Sequence, residues 1–94
     1  MKYWSDPIQI GVREWELTNI GDGALIVEGI HSFDGVSLPF LVVENGLGKT
    51  VDPNGRIRVR FRPTSIRNSF TGLVLAGRTV EGYEWVEQWS KVKA

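Results

Sequence analysis

Hydrophobic residues recur along this chain with a period of two rather than 3.6, the pattern of strands whose side chains alternate between two faces. Glycine falls mostly between the apolar runs and punctuates them. The pattern predicts seven strands separated by short turns, the arrangement of an all-β sandwich or barrel. Strand A covers about 7–11, and Pro7 at its start suits a sheet edge. Strand B covers about 12–19, where Trp15 and Leu17 alternate with Glu14, Glu16 and Thr18; Asn19 to Gly23 then turns the chain. Strand C, about 24–30, is nearly continuous in apolar residues, which predicts burial on more than one side. Strand D covers about 38–43 and contains Pro39, again an edge signal. Residues 44–55 read as a loop with the turn pairs Asn45-Gly46 and Asn54-Gly55. Strand E, 56–62, is the cleanest alternation: Ile57, Val59 and Phe61 point one way, Arg56, Arg58, Arg60 and Arg62 the other. Strand F covers about 69–76, with Phe70, Gly72 and Val74 on one face and Leu73 and Leu75 on the other. A turn at Gly77-Arg78 leads to strand G, about 80–90. No stretch has the pattern of a helix of normal length.

At 94 residues the chain is one domain, 1–94, with a short N-terminal arm of about 1–6. Hydrophobic residues at 41% and charged residues at 23% are a globular composition, and one modest core leaves little room for a deep catalytic cavity. Eleven basic and eleven acidic residues cancel, which excludes a strongly basic nucleic-acid coat protein and an acidic tail. The absence of cysteine excludes a disulfide framework and a Cys-ligated metal, and fits a reducing compartment or an assembly that stabilises the domain. The N-terminus lacks the apolar stretch of a signal peptide, so the expectation is cytoplasmic synthesis. No apolar run approaches the ~20 residues of a membrane span.

Several segments are familiar in their order: Ile8-Gln9-Ile10-Gly11, Trp15-Glu16-Leu17-Thr18-Asn19-Ile20-Gly21 and Ala24-Leu25-Ile26-Val27. Val51-Asp52-Pro53-Asn54-Gly55, Arg56-Ile57-Arg58-Val59-Arg60-Phe61-Arg62-Pro63 and Phe70-Thr71-Gly72-Leu73-Val74-Leu75 follow. Over residues 8–76 this succession resembles the ASH-type domain, an immunoglobulin-like sandwich related to the major sperm protein fold. The resemblance implies a cysteine-free immunoglobulin-like β-sandwich that binds proteins and does no chemistry. The chain departs from it where strand A runs into strand B almost without a spacer, and in the tryptophan and charge of residues 81–94.

Catalytic residue types are scarce. A Ser-His-Asp site would have to be built on His31, the one histidine, with Asp34 nearby; both sit in a glycine-containing loop and read as solvated. A zinc site would need carboxylates for nearly all its ligands. Gly46-Leu47-Gly48-Lys49-Thr50 resembles half a phosphate loop, but Val43 stands where the first glycine belongs and Val51-Asp52-Pro53 blocks the helix that must follow. The expectation is therefore no enzyme, no cofactor and no metal.

Two features remain as candidate interaction sites. Arg56, Arg58, Arg60 and Arg62 form a row spaced by about 6.5–7 Å. Such a row could track phosphates of a nucleic acid, dock a protein, or pair with Glu14 and Glu16 across strands B and E, which are neighbours in an immunoglobulin-like sheet. The cross-strand ladder is the reading topology favours, protein docking comes next, and nucleic acid is the least favoured partner. The second feature is aromatic: Tyr3 and Trp4 in the arm, and Tyr83, Trp85 and Trp89 on strand G. These rings either cap the open ends of the core, anchor an interface, or, as Trp4, Trp85 and Trp89, form a carbohydrate platform. Strand G shows no clean inside and outside, because Glu87 shares parity with Tyr83, Trp85 and Trp89; at least one ring is therefore expected to face outward or reach a neighbour. The functional expectation is a docking subunit of a larger protein assembly, with a homo-oligomer as one form of it. A phage virion component (capsid decoration or tail/baseplate accessory) leads; an adaptor in a bacterial cytoplasmic or surface complex and a glycan-binding module are the alternatives.

Overall fold

The computed structural model describes residues 2–11, 14–32, 41–44, 47–61 and 72–89. Every regular element among them is a strand: β1 (Ile8–Gly11), β2 (Glu14–Thr18), β3 (Leu25–Ser32), β4 (Leu41–Glu44), β5 (Thr50–Val51), β6 (Arg56–Phe61), β7 (Leu73–Thr79) and β8 (Glu84–Trp89). They form two antiparallel four-stranded sheets, ordered β1-β2-β6-β4 and β5-β3-β7-β8. One core joins them. Leu17, Ile57 and Val59 enter from the first sheet; Leu25, Val27, Val51, Leu73, Leu75, Trp85 and Trp89 enter from the second. The arrangement is that of a β-sandwich, and the alternation of β6 is its plainest cause: Ile57 and Val59 are fully buried while Arg56, Arg58 and Arg60 are exposed. The starts of strands D and F, together with Phe70, Arg62 and Asp34, lie outside the described residues.

Two expectations about elements are corrected. The loop predicted over 44–55 contains β5, which pairs Leu25 with Val51 and Ile26 with Thr50. Among the described residues eight strands are thus present where seven were expected for the chain. Two residues are too short for alternation to show. What does show is the turn that follows: Gly55 N–H donates to the Asp52 carbonyl at 2.8 Å, with Pro53 second and Asn54 third at φ 67°, the geometry of a type II turn. The turn predicted at Gly77-Arg78 is strand instead; β7 runs on to Thr79, and the chain reverses over 80–83, where Gly82 takes φ 100°. Gly77 is glycine because of a close approach. A Cβ there would lie 1.9 Å from the Ile26 carbonyl oxygen and 2.8 Å from Trp85 Cζ2.

The alternation of β8 is also cleaner than its sequence suggests. Trp85, Glu87 and Trp89 point inward and Glu84, Val86 and Gln88 outward, as their pairing with β7 requires. The outward-facing ring expected on strand G is Tyr83, 69% exposed just before β8, while Trp85 and Trp89 on the strand itself point inward. Glu87 faces inward because it has a partner there. Its carboxylate accepts the backbone N–H of Tyr3 at 2.5 Å and that of Trp4 at 3.3 Å. The N-terminal arm is thereby held between the sheets. On the other side it pairs with the end of β2 and beyond: Ser5 N–H donates to the Thr18 carbonyl, Thr18 N–H to Ser5 Oγ, and Ile20 N–H to the Tyr3 carbonyl.

Candidate docking surfaces

Three surfaces follow from this frame. The first is the outer face of the β1-β2-β6-β4 sheet. Register places Glu14 opposite Arg60, Glu16 opposite Arg58 and Thr18 opposite Arg56. Arg60 Nε donates to Glu14 Oε1 at 2.8 Å, and Arg60 Nη2 reaches the same oxygen at 2.6 Å. Glu16 lies 3.6 Å from Arg56 and 3.8 Å from Arg58. The arginine row is thus a cross-strand charge ladder, and Arg56, Arg58 and Arg60 are committed to carboxylates of the same sheet. Arg62, the fourth of the row, lies outside the described residues.

The second surface is the outer face of the β5-β3-β7-β8 sheet, which has the opposite character. Its middle row sets Val86 against Ala76 and Ala76 against Gly29; the flanking rows set Arg78 beside Ile26 and Glu84, and Val74 beside His31 and Gln88. Val86 is 65% exposed, while Val74, Ala76 and Ile26 are half-buried. Arg78 is paired with Glu28 at 3.4 Å on the rim. The result is a flat, small-residue apolar strip bordered by polar side chains. Reading the sequence strand by strand missed it. The signal was present in strand F as Val74 and Ala76, both on the side opposite Leu73 and Leu75.

The third surface is a cleft of about 350 Å³ at one end of the sandwich, walled by the arm, the β2–β3 loop and the β7–β8 turn. Lys2, Tyr3, Ile20, Asp22, Glu81 and Tyr83 are among its lining residues. Asn19, fully buried at the root of the β2–β3 loop, organises this end. Its amide donates to the Gly23 and Val51 carbonyls at 3.0 Å each, and its side-chain oxygen accepts Gly21 N–H at 2.9 Å. Its backbone bonds to Gly55 and Asn54, tying the Asn-x-Gly turn to the Pro-Asn-Gly turn.

The aromatic candidates divide. Trp4, Trp85 and Trp89 are core residues, with Trp4 fully buried and its ring 5.9 Å from that of Trp85. Their surfaces are used within the fold, so the carbohydrate platform of Trp4, Trp85 and Trp89 is not formed, and none of the three offers a ring face to a partner. The structure places all three in the buried core cluster, and among the described residues the indole N–H groups of Trp4 and Trp85 have no hydrogen-bond partner. Trp89 Nε1–H instead donates to Asp6 at 3.2 Å. Tyr3 is half-buried against Trp85, and Tyr83, 69% exposed, is the one open ring of the five. His31 is exposed, and among the described residues no group of three His, Asp or Glu is placed to hold a metal ion. No helix among them is long and apolar enough to cross a membrane.

Comparison with models of known protein families, with curated proteins and with solved structures finds no match.

Proposed function

We propose that this chain is a non-catalytic docking module, an immunoglobulin-like sandwich that joins a larger protein assembly through the outer face of its second sheet. The immunoglobulin-like reading is supported by strand order. The succession β1-β2-β6-β4 opposite β3-β7-β8 is the order ABED opposite CFG, with β5 added beside β3. The ASH-type resemblance is supported by Asn19, which physically joins the two turn motifs on which it rests. A role in docking is supported by where the charged groups are spent: Glu14 and Glu16 on arginines, Glu87 on the amides of the arm.

The observation that carries the proposal is the contrast between the two outer faces. One presents paired charge, with Ile8 exposed at its β1 edge; the other presents Val86, Ala76, Val74 and Ile26 across its middle within a polar border, the anatomy of a protein interface. A domain whose two outer faces differ in this way is suited to being laid onto a lattice, so a virion decoration or tail/baseplate accessory is the setting we put first. Photo-crosslinking tests this in the organism that makes the protein, with a crosslinking residue placed at Val86 or, separately, at Arg58. Position 86 should yield a discrete adduct with one partner, a second copy of the chain included, and position 58 none. Equal labelling from both positions, or none from 86, would overturn the assignment.

A further inference from the structure

We infer that the cleft at the end of the sandwich receives a single cationic side chain, arginine or lysine, presented by an exposed segment of a protein partner. This site lies apart from the outer sheet face and stands whether or not that face docks. Its walls are set before a ligand arrives. The β2–β3 loop is pinned by the three side-chain hydrogen bonds of Asn19, and the β7–β8 turn by Tyr83 N–H donating to Thr79 Oγ1 at 3.1 Å. Tyr3 is seated against Trp85, ring centroids 6.5 Å apart, and a Cβ at Gly21 would come within 3.2 Å of its Cδ1, so the loop and the ring fit closely.

The charge of the cleft decides the ligand. Asp22 and Glu81 are exposed on its lining, and neither has an ion-pair partner among the described residues. Lys2, the one cation on the lining among the described residues, is already paired with Asp6 at 2.5 Å. An entering cation therefore meets two uncompensated carboxylates and the phenol rings of Tyr3 and Tyr83, whose faces attract positive charge. An anion meets repulsion. A neutral sugar could stack on the rings but would leave both carboxylates without a counter-charge. Tyr83 lies open to solvent on the lining, and Ile20, 54% exposed, supplies apolar surface for the methylene stem of a long basic side chain.

The test is an amide-resolved NMR titration of the intact chain with capped Gly-Arg-Gly and Gly-Lys-Gly peptides. Capped Gly-citrulline-Gly, which keeps the arginine shape without its charge, and methyl glucoside serve as comparison ligands. The basic peptides should shift the amides of Gly21, Asp22, Gly23, Glu81 and Tyr83, with citrulline roughly ten-fold weaker. The double variant Asp22→Asn/Glu81→Gln should lose binding by roughly the same factor with an unchanged melting temperature, since both positions are exposed. Tyr83→Ala should weaken it a few-fold. Equal binding of citrulline or the glucoside, or shifts confined to other surfaces, would overturn the inference. Either result leaves the crosslinking pattern at Val86 and Arg58 unaffected, so the two proposals fail separately.

Discussion

Single residues in this fold carry structural duties that their chemistry alone does not announce. Asn19 is buried with all its side-chain hydrogen bonds to backbone groups, so Asn19→Ala strands the Gly23 and Val51 carbonyls and the Gly21 N–H. The expected loss is about 2–3 kcal/mol, read from chemical denaturation, and a loss below about 0.5 kcal/mol would contradict the hub role. Gly77→Ala is expected to be worse tolerated than any exposed glycine change, because the new Cβ meets the Ile26 carbonyl and not a movable side-chain end. Asp6 gives the molecule a pH response of known sign. The hydrogen bond and charge of Lys2, joined by the Trp89 indole N–H, hold its carboxyl below the ordinary carboxylate range. A depressed folded-state pKa means stability that is present above about pH 4 and lost as pH falls through the folded value. Asp6→Asn should therefore be less stable than the parent at pH 7, and the gap should close in acid; a gap independent of pH would show that Asp6 acts by shape alone.

Elements were legible in proportion to how much alternation they carry. The arginine and aliphatic sides of β6 followed directly from side-chain parity, whereas its pairing with β2, and with it the charge ladder, followed from the strand order of an immunoglobulin-like sheet. The β5 strand was illegible because two residues hold no period, and the β7–β8 turn was misplaced because Gly77 resembles a turn residue while serving a close backbone approach. Strand β8 was misread for a third reason. The partners of Glu87 are the amides of Tyr3 and Trp4, more than eighty residues away, and main-chain groups leave no mark in a side-chain pattern. The same blindness hid the docked arm and the burial of Trp4, while the end cleft, assembled from three distant segments, had no local signature beyond its turn residues. The arm is the element whose role is most open to measurement. Trp4→Ala should cost about 3–5 kcal/mol, as for any large aromatic lost from a core. Glu87→Ala should leave the core rings in place but release the clamp, raising hydrogen exchange at Tyr3 and Trp4 well above that of β6. Unchanged protection there would mean that the Trp4 ring alone secures the arm.

At the scale of the whole molecule, zero net charge conceals a division of labour between two outer faces. The sheet bearing the arginines is neutralised row by row, and the sheet opposite is nearly free of charge at its centre. Pairs as exposed as these, with arginine side chains about half open, are each worth only tenths of a kcal/mol to stability. Their larger effect is on what the face attracts. An unpaired row of arginines about 6.5–7 Å apart would present successive positive charges to a phosphate backbone; with Glu14 and Glu16 interleaved, a polyanion must displace internal carboxylates to gain each contact. Glu14 and Glu16 thus act as a shield as much as a ladder. The parent chain should show no measurable binding to a single-stranded 30-mer near 0.15 M salt. Glu14→Gln/Glu16→Gln should keep the fold, because glutamine preserves shape and hydrogen-bonding capacity at both positions, yet bind the oligonucleotide with an affinity that falls steeply as salt rises. Fluorescence anisotropy across a salt series reads both quantities at once. If the parent binds as tightly as the double variant, the carboxylates do not screen the row, and the face must be counted as an open cationic surface.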